Sequence, residues 1–374
     1  MRDALVRRRT ALFVILTDVP NGAERVTANF AVALAQRPDW DVTVQIVCNR
    51  KSPSFGDSLK AHGITVRHGP YPRERISTPV FLLSLPRRRY DLVFSSILHM
   101  NGLLAAARRI GWLRTARLVT RESNVLADRY QGTALAIRSL FLKAYGPQAL
   151  IVVQSDHMGK ALRPLLSPRM RARVRMLPNP TDVATVRTRA AAPLAPELEA
   201  RLTARSHLFW MGRLIDWKRP ELAVDVLARV RALTGMDLGL VILGEGQRMT
   251  TVRERIAAHG LEDQVILPGR QDNPFNIAAR CRLGFSTSLG LEGFPNVLLE
   301  MMAAGVPAVV TTPCADGLRS LPGVSVTDGF EGEELVQAIT AALMSGADHR
   351  ASYAEELERR SAKASLPVLL GEVP

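Results

Sequence analysis

The sequence predicts an α/β fold: two similar-sized domains, each a parallel sheet with helices on both faces. Three observations carry that reading. Short apolar runs rich in Val, Ile and Leu recur along the 374 residues, each followed by a helix-like stretch, and strands alternating with helices imply parallel sheets. The runs are continuously apolar, as in strands covered on both faces. The series also runs twice, with a break between.

In the first half the strands read as 11–16, 42–47, 91–95, 117–120, 150–153 and 174–177. Arg7–Arg9 precede the first of these as a signal peptide's basic region would. Asp18 ends the apolar stretch after seven residues and no small-residue cleavage site follows, so it reads as a strand. Asn179-Pro180 closes the series. Residues 181–205, rich in Ala, Pro and charge, have no strand pattern. The second series reads as 208–211, 238–243, 265–267, 283–286 and 307–311, with Leu222, Val226, Val230 and Leu233 at helical spacing on one face. The domains are therefore placed at 1–180 and 181–355. A tail, 356–374, reads as a helix broken by Pro367 that can pack back on the first domain. Sheets of this kind bind ligands at the carboxyl ends of their strands, and two facing each other make a cleft.

Composition excludes several classes. At 47% hydrophobic and 22% charged the chain is neither disordered nor a repeat array. No apolar run reaches the roughly 18 residues of a membrane-spanning helix. Cys48, Cys281 and Cys314 are odd in number and lack metal-ligand spacing, which fits a reducing cytoplasm and excludes a disulfide scaffold. Charge is divided: residues 1–180 hold 29 Lys and Arg against 11 Asp and Glu, a net of +18, whereas 181–374 carry −4. Coding bias can explain Arg over Lys, but not why one half carries the excess. That half is expected to meet something anionic, a membrane surface or phosphorylated lipid. Aromatics are sparse there and no nucleic-acid-binding signature is present.

Four features of the second half fall on loops at strand ends. Gly212-Arg213…Lys218 supplies a planar fork and a point charge, both suited to phosphate. Leu243-Gly244-Glu245-Gly246 permits close backbone approach, or is a plain tight turn; Met249 stands where a dinucleotide fingerprint needs a third glycine. Pro268-Gly269-Arg270 is a third loop. Glu292-Gly293-Phe294-Pro295-Asn296…Glu300 sets two carboxylates eight residues apart, and Pro295 places a helix start at 293–295. Its N–H groups suit an anion such as diphosphate. Carboxylates accept hydrogen bonds from sugar hydroxyls, so Glu292 and Glu300 could each hold part of a sugar.

On these residues the chain resembles retaining glycosyltransferases of family 4, which have the GT-B fold of two Rossmann-like domains facing across a cleft. Glu292…Glu300 matches that family's E-x7-E motif. Asn21-Gly22-Ala23-Glu24-Arg25 resembles its first glycine-rich loop, with Asn21 where glycine is usual, and Asn179-Pro180 resembles the close of the first domain. Met301 and the stretch Thr312–Asp316 also depart from the usual pattern. The resemblance implies transfer of a hexose or N-acetylhexosamine from a nucleotide sugar, UDP-linked before GDP-linked, with retained configuration and no metal or other cofactor. It implies that Arg213 and Lys218 bind the diphosphate, that Glu300 holds the ribose, and that Glu292 and the N–H groups from Gly293 through Phe294, Pro295 and Asn296 meet sugar and phosphate. Gly22, Gly244 and Gly246 would approach the donor, Arg270 the nucleobase, and His99 the sugar. Asn21, Arg121 and Glu122 would face the acceptor. The family and the charge together imply a lipid-diphosphate-linked or oligosaccharide acceptor at the inner face of the plasma membrane. Residues 50–90 are the expected attachment surface, although Val80–Leu85 reads equally as core. A nucleotide-sugar epimerase shares the fold but would lack E-x7-E with its upstream Arg and Lys. A nucleic-acid-binding protein would have no need of Glu292 and Glu300.

Overall fold

Two all-parallel sheets carry the chain. The computed structural model describes residues 7–19, 22–49, 53–126, 130–290 and 293–373. The first sheet contains β1 (Arg9–Thr17), β2 (Trp40–Cys48), β3 (Thr65–His68), β4 (Arg89–Ser95), β5 (Arg114–Arg121), β6 (Leu150–Val153) and β7 (Val174–Met176), in the order β3-β2-β1-β4-β5-β6-β7. The second contains β8 (Ser206–Met211), β9 (Leu238–Leu243), β10 (Val265–Gly269), β11 (Leu283–Ser286), β12 (Val309–Thr311) and β13 (Val324–Val326), in the order β10-β9-β8-β11-β12-β13. Numbered within itself, each begins 3-2-1-4-5-6, the doubly wound order.

The central strands are buried on both faces, as their unbroken apolar runs require. Phe13, Val44, Ile46 and Phe94 are fully buried in the first sheet, and Phe209, Val241 and Phe285 in the second. Strands β3 and β13 are additions to the sequence reading. Both are edge strands, short and half exposed, and neither carries a continuous apolar run. The interval 181–205 forms two helices, Val183–Ala190, whose cap Asp182 accepts from Thr185 N at 3.0 Å, and Pro196–Thr203.

On helix Pro220–Thr234 the buried stripe is Ala223, Val226, Leu227 and Val230, whereas Leu233 is exposed. The apolar spacing read from Leu222 is therefore rotated by one position. By contacts the chain divides into Met1–Pro180 with Arg360–Pro374, and Thr181–Arg359. The tail's break falls before Ser361. Pro367 lies inside the helix Ala362–Leu370, which packs on helix Gly22–Ala35 through Leu366 and Leu369. Arg117 Nε donates to Leu369 O at 2.6 Å, satisfying a carbonyl of its last turn.

Candidate active site

In a doubly wound sheet the ligand crevice lies at the switch point, where adjacent strands send their connections to opposite faces. In the second sheet that point is between β8 and β11. The loop leaving β8 carries Arg213 and Lys218, and the segment leaving β11 leads to helix Asn296–Ala304. Topology thus places the two cations and this helix start on adjacent central strands of one sheet edge.

Arg213 is exposed, with its guanidinium 5.5 Å from the Trp217 ring centroid. Lys218 is half-buried and ends the single turn Asp216–Lys218. Next, Arg219 adopts φ 46° and ψ 56°, the one non-glycine with positive φ among the described residues. Pro220, which opens the next helix, disfavours the right-handed region for the residue before it. Arg219 Nε donates to Thr287 O at 2.9 Å, and burial holds its guanidinium below its ordinary pKa.

Thr287, fully buried just past β11, is the hub of this corner. Its Oγ1 accepts from Trp210 Nε1 at 2.9 Å, and its single O–H is shared between Lys218 O at 2.6 Å and Arg219 O at 3.0 Å. Leu289 N donates to Trp217 O at 2.7 Å. The backbone that carries Lys218 is therefore tied to the chain just before Glu292. Glu292 itself lies outside the described residues, as does Asn21.

Helix Asn296–Ala304 begins one residue after the expected start, with Pro295 as its cap. Gly293, Phe294 and Pro295 are buried, and Asn296 is half-buried. The Phe294 side chain belongs to a core cluster with Leu298 and Met301. An aromatic ring spent on the core leaves its backbone as the part able to face a ligand. Glu300 lies in the helix's second turn and is half-buried.

Loops after β8, β9 and β10 interlock. Leu214 N donates to Glu245 O at 2.9 Å, Arg248 N to Leu214 O at 2.9 Å, and Gly244 N to Gly269 O at 3.0 Å. A Cβ on Gly244 would stand 1.9 Å from Gly212 O, and one on Gly246 2.3 Å from Leu214 O. The structure thus gives these glycines a reason different from phosphate approach: they let two loops pack backbone to backbone. Arg270 is exposed and lines an open cavity of about 460 Å³ with Glu245, Gln271, Asn273 and Asn276.

In the first sheet the switch point lies between β1 and β4. Gly22 begins the helix after β1 and is exposed. His99 sits in the first turn after β4. Its Nε2 is 2.7 Å from Glu74 Oε1, and its ring meets Phe141 edge-on at 6.1 Å. Burial lowers the His99 pKa and Arg138 adds to that, while Glu74 opposes both.

Arg121 and Glu122 are not on an open acceptor face. They are 2% and 4% exposed. Arg121 donates to Asn179 Oδ1, and Asn179 Nδ2 donates to Gln154 Oε1 at 2.9 Å. Gln154 Nε2 returns to Glu122 O at 3.1 Å. Glu122 Oε1 accepts from Asn101 Nδ2 at 2.9 Å and from the Tyr145 hydroxyl. Burial pushes the Arg121 guanidinium down to about 9 and the Glu122 carboxyl up. Charges at a strand end read as solvent-facing because they are seldom buried; here a network drawn from distant positions covers them.

Sequence reasoning missed Thr287, Trp210 and Glu74. The signals were faint: a buried indole needs an acceptor for its N–H, and Ser286-Thr287-Ser288 offers hydroxyls at a strand end. If Thr287 sets the position of Lys218, Thr287→Val should lower kcat about tenfold or more with donor KM little changed, because positioning errors of this kind cost up to about 100-fold. Thr287→Ser should restore it. Equal rates in the two variants would refute the positioning role. Among the described residues no group of three His, Cys, Asp or Glu side chains is placed to hold a metal ion.

Comparison with known proteins agrees with this fold. Residues 20–185 match the family model described as Glycosyltransferase Family 4, and 205–345 match Glycosyl transferases group 1. The chain is 38% identical over 113 residues, 30% of its length, to the Campylobacter jejuni N-acetylgalactosamine-N,N'-diacetylbacillosaminyl-diphospho-undecaprenol 4-alpha-N-acetylgalactosaminyltransferase. It is 26% identical over 94% of its length to the Streptomyces coelicolor exopolysaccharide phosphotransferase SCO2592. The matches cover 29% and 39% of those two proteins, so the chain spans less than half the length of these curated relatives. Among solved structures, Anabaena HepE in complex with UDP and glucose is similar at a TM-score of 0.77 and 18% identity, over 98% of this chain and 100% of that one. The paired sheets, the two family matches and the shared fold agree: the chain belongs to the GT-B glycosyltransferases of the family 4 type.

Proposed function

We propose that the protein transfers a hexose or N-acetylhexosamine from a nucleotide sugar, UDP-linked, to a lipid-diphosphate-linked sugar acceptor in cell-surface polysaccharide or glycoconjugate synthesis, with retained anomeric configuration and without a metal. The observation that carries this reading is the convergence of Arg213, Lys218 and the start of helix Asn296–Ala304 at the switch point of the second sheet. Cations and helix N–H groups are what a departing diphosphate requires. A planar fork and a point charge take its oxygens without an ion between them. Glu300 binds the ribose hydroxyls, and Glu292 a hydroxyl of the sugar. The cavity at Arg270, Gln271 and Asn273 takes the nucleobase.

The leaving phosphate helps deprotonate the acceptor hydroxyl in a front-face step. On the first unit, Gly22 and His99 serve at the switch point, while Arg121 and Glu122 hold the strand ends in place. The printed names of the relatives support the substrates: one extends a diphospho-undecaprenol-linked sugar, and the Anabaena neighbour was crystallised with UDP and glucose. The first half's net charge of +18 supports peripheral attachment at an anionic inner leaflet. No helix among the described residues is long and apolar enough to cross a membrane.

The test is a thermal-shift panel of UDP, GDP, ADP and dTDP, each with and without EDTA. A ligand specific to the folded state raises stability by RT ln(1 + [L]/Kd), about 2.7 kcal/mol at a hundredfold excess over Kd. UDP should give the largest shift, EDTA should leave it unchanged, and Glu300→Ala should remove it. A shift that appears only with divalent metal would overturn the metal-independent reading. No shift with any nucleotide would overturn the donor site.

A further inference from the structure

Helix Glu74–Ser84 is amphipathic in the inverted sense. A surface helix of a soluble domain turns its apolar stripe inward. Here the inward face includes Ser77 and Thr78 beside Phe81, and Ser77 must satisfy its hydroxyl on Tyr71 O at 2.7 Å. The outward face is Ile76, Val80 and Leu83, at i, i+4 and i+7, with Leu83 64% exposed. The turn after helix Leu98–Arg109 extends it: Trp112 Nε1 donates to Leu82 O at 2.8 Å, and Ile110 beside it is 76% exposed. Helix Gly132–Lys143 shows the same habit, with Leu142 its one buried residue and Ile137 and Leu140 exposed. An open cavity of about 1170 Å³ joins these helices, with Ile76 and Pro79 on one wall and Leu103 and Phe141 on the other.

Arginines dominate the charges around this face. Arg73 and Arg75 stand at the start of the first helix and Arg87 and Arg88 after its end, all exposed. The nearest acid on that helix, Glu74, is engaged with His99 at 2.7 Å. Singly exposed apolar residues need no explanation, but exposed apolar sets on helices that wall one cavity, bordered by arginines, mark a contact surface. Apolar side chains entering a headgroup layer, flanked by Arg at headgroup level, are how a helix lies on an anionic bilayer.

We propose that this face, formed by helices Glu74–Ser84 and Gly132–Lys143 with Ile110 and Trp112, is the site that seats the protein on an anionic lipid bilayer. It deepens the lipid-linked acceptor reading above by naming the surface, and it replaces the broad expectation of residues 50–90 with two helices, one of them outside that span.

The experiment is flotation of the full chain with vesicles of phosphatidylcholine alone, or with about one-third phosphatidylglycerol, at low and high salt. Binding should require the anionic lipid and fall with salt. Leu83→Glu with Ile137→Glu, and separately Arg73→Glu with Arg87→Glu, should each weaken it by at least about tenfold. Trp112→Phe should abolish most of any fluorescence blue shift on binding. No binding to anionic vesicles would overturn the proposal. So would binding unchanged in Leu83→Glu with Ile137→Glu, which would make it adsorption by charge elsewhere. A lipid-free dimer that this same variant disperses would assign the face to a second copy and overturn it too. UDP thermal shifts on the native chain and on every variant keep the two readings separate. In the variants, lost flotation with a retained UDP shift supports the surface. In the native chain, no flotation with a UDP shift refutes only the surface, and flotation without a UDP shift refutes only the donor site.

Discussion

Arg213→Ala and Lys218→Ala should each cut transfer by about 10²–10³, the usual cost of removing one preorganised charge contact to a developing anion. The double variant should fall below either single one, but by less than the product, because groups acting on one diphosphate act as a unit. Stability should hardly change. Arg213 is exposed and its contact with the Trp217 ring, at 5.5 Å, is of a kind worth about 0.5–1 kcal/mol at such sites. Lys218 meets Thr287 through its main-chain carbonyl, which alanine retains. The expected outcome is therefore inactive protein with an unaltered melt. Arg213→Lys should recover part of the rate, since an ammonium supplies charge without the planar fork. Near-full transfer by the double variant would show that the leaving diphosphate is stabilised elsewhere.

What could be read from the sequence divides along physical lines. Central strands were legible because residues such as Phe13, Val44 and Phe285 are buried on both faces and leave unbroken apolar runs. Strands β3 and β13 were not: the edge strand Thr65-Val66-Arg67-His68 has one flank in solvent and looks like loop. Arg213, Lys218 and Glu300 were legible as residue types at loop and helix positions, but their meeting on one sheet edge comes from the strand order, which no local pattern encodes. Gly244 was legible as a glycine with work to do. That the work is clearance from Gly212 O depends on a neighbouring loop 32 residues away. His99 stood out in the sequence, but its partner Glu74 lies 25 residues earlier. The run Val80–Leu85 stayed open between surface and core because apolar periodicity cannot say which side faces the core: Val80 and Leu83 turn outward, whereas Phe81 and Leu85 are buried.

Arg121→Ala and Glu122→Ala should each destabilise the first unit by about 3–5 kcal/mol, because removing one member of a buried, charge-compensated set strands the other. For a unit of nearly 200 residues that is a fall in Tm of roughly 10 °C or more. The loss has identifiable parts. Without Glu122, the Asn101 amide and Tyr145 hydroxyl lose a buried acceptor, and Arg121 loses the charge that offsets its desolvation. Without Arg121, Asn179 loses its donor at the junction that Asn29 also holds, through Nδ2 to Pro180 O at 3.0 Å. Glu122→Gln should cost less than alanine, since its carbonyl still accepts from Asn101 and Tyr145. The series separates two roles. If Glu122 met the acceptor directly, Glu122→Gln would reduce transfer while leaving the melt almost unchanged. If it holds together the carboxyl ends of β5 and β6, the melt falls first, and activity at low temperature follows the folded fraction.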